Sequence, residues 1–331
     1  MNNNLHHWYP VKLLKDGAEL RCQWKYFKGI PFIDPFFSET ITQANSIELN
    51  VTKYRSVSDL NILTEWCDNL KSAEPTAFIF HISRCGSTLL SQALALSDYH
   101  IVLSEVPFID DLLKLLTIDE WLTNTDYQQI LKATIAVYGQ KTNQNQQLLF
   151  IKTDSWHLYY LPLFRLLYPA ILFLFLYREP DDVLISQQKK RGMHAVPGLI
   201  SNIILGIPTN TNEQLTLDNH MIGVLISYLS SFVTVVKTDN YSFLANYSEG
   251  IENIINNLAK LTGYKLDEDY CAKVNERCRY NAKYPDQHFI NETTYRDLTN
   301  TSKLQPLYME LENLRSLQIS KTDSVADYDK S

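Results

Sequence analysis

Short continuous apolar runs alternate with helix-spaced stretches through the middle of this chain, and no other feature limits its fold as tightly. Residues 77–82, 100–103, 148–152, 171–177 and 242–247 are apolar-rich runs of strand length. A strand that alternates apolar and polar residues buries one face. Unbroken runs bury both, as in a parallel sheet covered by helices on each side. Between them, residues 88–96, 109–116, 127–138, 158–167 and 217–236 carry apolar side chains at helical spacing. Residues 249–261 do the same and end at Gly263, a residue suited to close a helix. The expected fold class is α/β: a doubly wound, mainly five-stranded parallel sheet flanked by helices.

Residues 1–70 read as a small N-terminal extension, a β element plus a helix. Asp16-Gly17 is a turn dipeptide between two mixed apolar segments, and residues 31–37 (PFIDPFF) form an aromatic packing strap. Leu60, Leu63, Trp66 and Leu70 then fall at helical spacing behind Ser58 or Asp59 as N-cap. The α/β domain is expected over residues 71–317, with a loop-rich insertion at 191–216. The polar tail, 318–331, is expected to be disordered.

Composition removes several classes of function. A hydrophobic fraction of 45% excludes disorder for most of the chain. A net charge of −7 argues against general nucleic-acid or anionic-membrane binding, so an anionic ligand must meet a local cluster of donors. Five scattered cysteines make neither a disulfide framework nor a zinc knuckle, and no metal is expected. The start of the chain lacks the basic-then-apolar pattern of a secretory signal, and the run at 170–177 is far short of the ~20 residues a membrane span needs. A cytoplasmic location is expected. The oligomeric state stays open.

The first apolar run leads directly into Ser83-Arg84-Cys85-Gly86-Ser87-Thr88-Leu89-Leu90 and then a helix. This is the layout of an anion-binding loop. Gly86 permits a close backbone approach, and the helix start offers free N–H groups and a positive dipole end. Ser87 and Thr88 add hydroxyls, and Arg84 adds a fixed charge. Taken alone, the segment also reads as an ordinary strand-turn-helix with a serine cap. A nucleoside-triphosphate loop would need Gly in place of His81 and Lys in place of Ser87, and no strand ends in an obvious magnesium-binding Asp. These departures count against a kinase or ATPase and favour a 5′-phosphate held without metal.

The segment resembles the 5′-phosphosulfate loop of sulfotransferases that use PAPS (3′-phosphoadenosine 5′-phosphosulfate), the bacterial and Golgi-type branch more than the cytosolic one. A second motif agrees. After residues 171–177 comes Arg178-Glu179-Pro180-Asp181-Asp182-Val183-Leu184-Ile185-Ser186, which looks like that family's 3′-phosphate motif. Arg178 at a strand end and Ser186 two turns into the next helix can face one phosphate. The competing reading pairs Arg178 with Glu179 or Asp182 on the surface. The resemblance covers residues 77–190 well and 191–300 loosely, and leaves 1–70 unexplained. It departs from the cytosolic branch in carrying Arg84 for a loop Lys, and in lacking the C-terminal Arg-Lys-Gly segment.

The resemblance implies in-line transfer of a sulfuryl group from PAPS, leaving PAP, to a hydroxyl or amine of a small-molecule, glycan or lipid acceptor. It assigns Glu105 as general base, with Asp154 as the alternative and His157 and His194 behind them. Lys152 and Arg84 would stabilise charge on the transferred group and the leaving phosphate. Cofactor contacts fall on Arg84, Cys85, Gly86, Ser87, Thr88, Leu89, Arg178 and Ser186. Tyr247 would lie near the adenine, and Arg279 and Lys283 would close over the nucleotide. Segments 106–116 and 191–207 would line the acceptor pocket. Two rival classes remain at this point, a small-molecule P-loop kinase and a catalytically silent nucleotide-binding protein of the same fold.

Overall fold

The computed structural model of the chain describes residues 6–17, 19–67, 70–208, 216–280 and 301–328. In chain order the strands are β1 (Trp8–Asp16), β2 (Glu19–Tyr26), β3 (Ser56–Asp59), β4 (Pro75–His81), β5 (His100–Ser104), β6 (Leu148–Lys152), β7 (Leu172–Tyr177) and β8 (Ser242–Asn246). The helices of the first half are α1 (Phe37–Ala44), α2 (Asn61–Cys67), α3 (Ser87–Leu94), α4 (Pro107–Leu113), α5 (Ile118–Thr123), α6 (Thr125–Tyr138) and α7 (Leu161–Leu167). Those of the second half are α8 (Pro180–Lys189), α9 (Asn202–Leu205), α10 (Leu217–Thr238), α11 (Ile251–Thr262), α12 (Glu268–Cys278) and α13 (Leu304–Tyr328). The expected class holds: a five-stranded parallel sheet of order β5-β6-β4-β7-β8, with a separate antiparallel sheet β1-β2-β3. All five apolar runs are strands, with ends within two residues of expectation.

The chain divides into two compact units. One comprises Met1–Phe78, Ser91–Thr153 and Tyr160–Ile171; the other comprises Ile79–Leu90, Asp154–Tyr159 and Leu172–Ser331. In the first unit β1 and β2 form a hairpin in which Asp16 faces Glu19 and Gly17 takes φ 61°. The aromatic strap is core. Phe32 and Phe37 interlock with Tyr9 and Phe27, and Tyr138 of α6 closes the cluster against Tyr9 at 5.7 Å between ring centroids. Tyr138 also donates its hydroxyl proton to the Pro10 carbonyl, and the Leu13 N–H donates to Asp111 at 3.2 Å. Each buried ring is worth roughly 1.5–3 kcal/mol, so the extension shares its core with residues beyond 91. Residue 70 is therefore no boundary, contrary to the division expected from composition.

In the second unit β7 pairs in parallel with β8, Phe173 opposite Ser242. Phe80 packs on Phe173 and Phe175, and Phe232 of α10 covers Phe175 at 4.8 Å. Helix α10 is long and apolar enough to cross a membrane by length and composition; Val224, Leu225, Leu229 and Phe232 are buried within its unit. The insertion at 191–216 forms a 3-10 turn at Met193–Ala195 and the short α9. The expected disordered tail is corrected: α13 continues through residue 318 as far as Tyr328. Leu304 and Leu311 are buried, and the Gln318 side chain accepts from the Leu244 N–H (3.0 Å) and donates to the Ser242 carbonyl (2.7 Å).

Candidate functional site

Strand β4 ends at His81, and the corner that follows holds an unusual backbone. Ser83, Arg84 and Gly86 take φ of 63°, 52° and 85°. For Ser and Arg that conformation costs roughly 1–2 kcal/mol apiece, so surrounding contacts must hold it. They are present. The Ile82 N–H reaches the Leu176 carbonyl at 3.3 Å, and the Ser83 N–H donates to His81 Nδ1 at 3.0 Å. The Cys85 thiol donates to the Leu176 carbonyl at 3.4 Å, and Arg84 Nε donates to Ser186 Oγ at 2.7 Å. From Arg84 to Gly86 left-handed residues flank Cys85, whose φ is not positive, and such alternation turns successive N–H groups toward one concavity, the geometry of an anion nest. The nest opens onto the start of α3, whose first-turn N–H groups lack intrahelical partners. Ser87 and Thr88 are buried there.

Gly86 is required for a second reason. A Cβ built on it would lie 2.2 Å from Tyr247 Cδ2 and 2.3 Å from Cε2. The Tyr247 ring therefore packs directly against the loop at Gly86, and the Arg178 guanidinium sits 5.1 Å from its centroid. Leu89, Arg178 and Tyr247 line one cleft of about 420 Å³, together with Glu179, Asp182, Asn246, Ser248, Gly250, Ile251, Cys278 and Tyr308. Three segments singled out in the sequence thus meet at one cavity of ligand size. Burial raises the Glu179 carboxyl above the usual range and pushes the Cys278 thiol up to about 11, so that thiol is no nucleophile at neutral pH. Burial also raises the Tyr247 phenol, an effect the nearby Arg178 charge opposes.

The structure does not join Arg178 to Ser186. Arg178 grips Asp182, with Nη2 and Nε at 2.7 and 2.9 Å from Oδ2. Ser186 instead accepts from Arg84, 102 residues earlier. The surface pairing weighed as the competing reading of Arg178 is what forms, while the second motif engages the first through its serine. Arg279 is exposed and paired with Glu276 at 3.0 Å. Lys283 lies outside the described residues.

Behind the loop lies a buried polar group that the sequence did not bring together. Asp154 sits beside His157, with Oδ2 3.5 Å from Nε2 and the Asp154 N–H donating to Nδ1 at 3.3 Å. His194 lies between Ser155 (3.5 Å) and Gln187 (3.1 Å), and Gln187 reaches Ser83 Oγ at 3.5 Å. Gln187 stands next to Ser186 in the motif, which is the one sequence signal for it.

In the first unit, Glu105 and Lys152 form a pair. Glu105 directly follows β5 and takes φ 54°, and its N–H donates to the Lys152 carbonyl at 2.9 Å. Lys152 Nζ is 2.6 Å from Glu105 Oε1, with the lysine side chain fully buried and the glutamate 19% exposed. Among the described residues the ammonium has this ion pair and no hydrogen-bond partner. Phe36, from the aromatic strap, lies 5.1 Å from it and supplies a ring face. The ends of β5 and β6 thus place a partly exposed carboxylate beside a buried ammonium, one a candidate base and the other a candidate cation for an anion.

No family model and no curated protein matches the chain. Among solved structures, it is similar to a sulfotransferase domain from the curacin biosynthetic pathway at 16% identity, covering 73% of this chain and 99% of that domain with a TM-score of 0.48. It is similar to the sulfotransferase STF1 from Mycobacterium tuberculosis H37Rv at 13% identity, over 65% of this chain and 76% of that one, with a TM-score of 0.43. Retinol dehydratase, solved with androsterone and the inactive cofactor PAP, matches at 13% identity over 80% of this chain and 90% of that one, with a TM-score of 0.37. At these identities and TM-scores none of the three transfers an activity to this chain.

Proposed function

We propose that the chain is a sulfotransferase that takes its sulfuryl group from PAPS. One observation carries the reading: the Arg84–Ser186 hydrogen bond joins the two motifs, and Leu89 of the first and Arg178 of the second line one cleft of about 420 Å³. The donor set fits a nucleotide with phosphate at both ends. The nest at residues 83–86, Ser87 and Thr88 would hold the 5′ end, with Arg84 adding charge. Leu89 and Tyr247 offer apolar and aromatic surface to the base, and Arg178 is the cation available to the 3′-phosphate once it shares or releases Asp182. Bound PAPS supplies the sulfuryl group.

The residues assigned to the chemical step are Glu105, as base for the acceptor hydroxyl or amine, and Lys152, as the cation for charge on the transferred group. Asp154 is the alternative base. Ser87 in place of a phosphate-bridging lysine weighs against a kinase. The acceptor is a small molecule, glycan or lipid carrying that hydroxyl or amine.

Calorimetric titration with PAP, and in parallel with ATP–magnesium, tests the reading. PAP should bind with micromolar or tighter affinity and ATP–magnesium far more weakly. Preference for ATP–magnesium would overturn it in favour of a kinase. PAP binding without sulfuryl loss from PAPS across an acceptor panel would leave a silent nucleotide-binding protein.

A further inference from the structure

We infer that Gln187 is a positioning residue for the phosphate loop, fixing Ser83 while its neighbour Ser186 fixes Arg84, and that it acts with His194 in the neutral state. The inference rests on reading residues 83–86 as a phosphate nest. Ser83 and Arg84 both carry positive φ, so each needs a fixed partner to stay there. Consecutive residues of α8 provide them. Ser186 Oγ accepts from Arg84 Nε at 2.7 Å, and Gln187 Nε2 donates to Ser83 Oγ at 3.5 Å.

The Gln187 amide can be oriented only one way. The Gly192 N–H donates to its Oε1 at 2.9 Å, which turns Nε2 toward Ser83 and His194. His194 Nε2, 3.1 Å away, must then accept, so its proton sits on Nδ1, facing Ser155 Oγ at 3.5 Å. The His194 carbonyl in turn takes a hydrogen bond from His220 Nε2 at 3.1 Å. Gln187 and His194 are 1% and 2% exposed, so water cannot substitute for either partner. Gly192 has no room for a side chain, since a Cβ would lie 2.9 Å from His194 Cε1. A second proton on His194 would set two N–H groups against each other. The amide would then have to turn, releasing both Gly192 and Ser83. The titratable groups around His194 are Asp154 and His157 on the segment ahead of α7, and His220 and Tyr228 on α10.

The test compares Gln187→Leu with Gln187→Glu. The glutamate keeps the acceptor for Gly192, can accept from the Ser83 hydroxyl in place of donating to it, and pairs with a neutral His194 whose proton has moved to Nε2. By calorimetry, Gln187→Leu should bind PAP about tenfold more weakly, the loss of about one charge-free hydrogen-bonded anchor. Gln187→Glu should recover most of that affinity. Rescue by the variant that keeps the polar contacts is the result a space-filling role would not give. Hydrogen exchange of the 82–88 amides without ligand provides the second measurement. Gln187→Leu should exchange about tenfold faster there and Gln187→Glu close to the parent rate, since local opening follows the loss of anchoring contacts. Parent-like exchange in Gln187→Leu, or equal losses in both variants, would overturn the inference. A parent protein that ignores PAP would instead overturn the nucleotide reading, and the exchange data would still decide the clamp.

Discussion

Replacing Gly86 with alanine separates two physical costs that the structure superimposes at one atom. The backbone there has φ 85°, which charges an alanine roughly 1 kcal/mol. The new methyl would also stand 2.2 Å from Tyr247 Cδ2, well inside contact distance, so the ring must leave. Leaving forfeits part of the ~1.5–3 kcal/mol that burial of an aromatic side chain provides, and about 0.5–1 kcal/mol of its contact with Arg178. The expected destabilisation is about 3 kcal/mol. In a Tyr247→Ala background no ring is present to collide with, and Gly86→Ala should cost only about 1 kcal/mol, leaving a coupling near 2 kcal/mol. Urea unfolding of the four proteins measures this directly. A Gly86→Ala cost that is the same in both backgrounds refutes the packing of Tyr247 on the loop. A displaced ring would also enter the cleft it lines, so the single variant should lose PAP binding more completely than its stability loss explains.

Three further outcomes follow from other parts of the molecule. Asp182→Asn frees Arg178 and removes a negative charge from the cleft, so PAP should bind about three- to tenfold tighter, whereas Arg178→Ala should weaken it about tenfold; unchanged titrations for both would remove Arg178 from phosphate recognition. Glu105→Gln strands the buried Lys152 ammonium and should destabilise the chain by about 3 kcal/mol, as well as stopping transfer, while the Glu105→Leu, Lys152→Met pair should lie nearer the parent; an unshifted urea midpoint for the single variant contradicts this. His100 is buried against the Phe150 ring, with Nδ1 2.7 Å from the Leu94 carbonyl, and burial lowers it to about 4. The unfolded chain takes that proton near 6.5 and the folded one only near 4. Stability present above 6.5 is therefore lost as pH falls toward 4, by about 3 kcal/mol in all. Unfolding free energies of the parent and His100→Asn across that window should converge at low pH; parallel curves would show that His100 is not the group responsible.

The sheet was readable because strands buried on both faces must be apolar throughout, and the five runs had no competing explanation. The strand-loop-helix corner at residues 81–94 was readable for a similar reason: a glycine after an apolar run and before serine, threonine and a helix-spaced stretch marks such a corner. Side-chain partners were not. Arg178 had carboxylates at Glu179 and Asp182 and a serine at 186 within reach, and spacing alone does not rank an i+4 carboxylate above a hydroxyl two turns away. The helix that runs on into residues 318–328 had its signal ahead of them: Leu304, Leu307, Tyr308, Leu311 and Leu314 follow helical spacing, and the polar residues beyond 318 carry no such pattern. The shared core of the extension and α6 was invisible for another reason, since Tyr9 and Tyr138 meet across more than a hundred residues and no local pattern encodes that contact.

The amide of Gln318 does for β8 what another strand would do, offering one acceptor and one donor to a backbone with no further strand beside it among the described residues. A ribosome finishes that strand some seventy residues before it makes its cover. During that interval the margin of the sheet is open to any extended peptide nearby, including another nascent copy. Chains ending before Leu304 should accordingly be found in high-molecular-weight fractions, and those ending just after Gln318 should not.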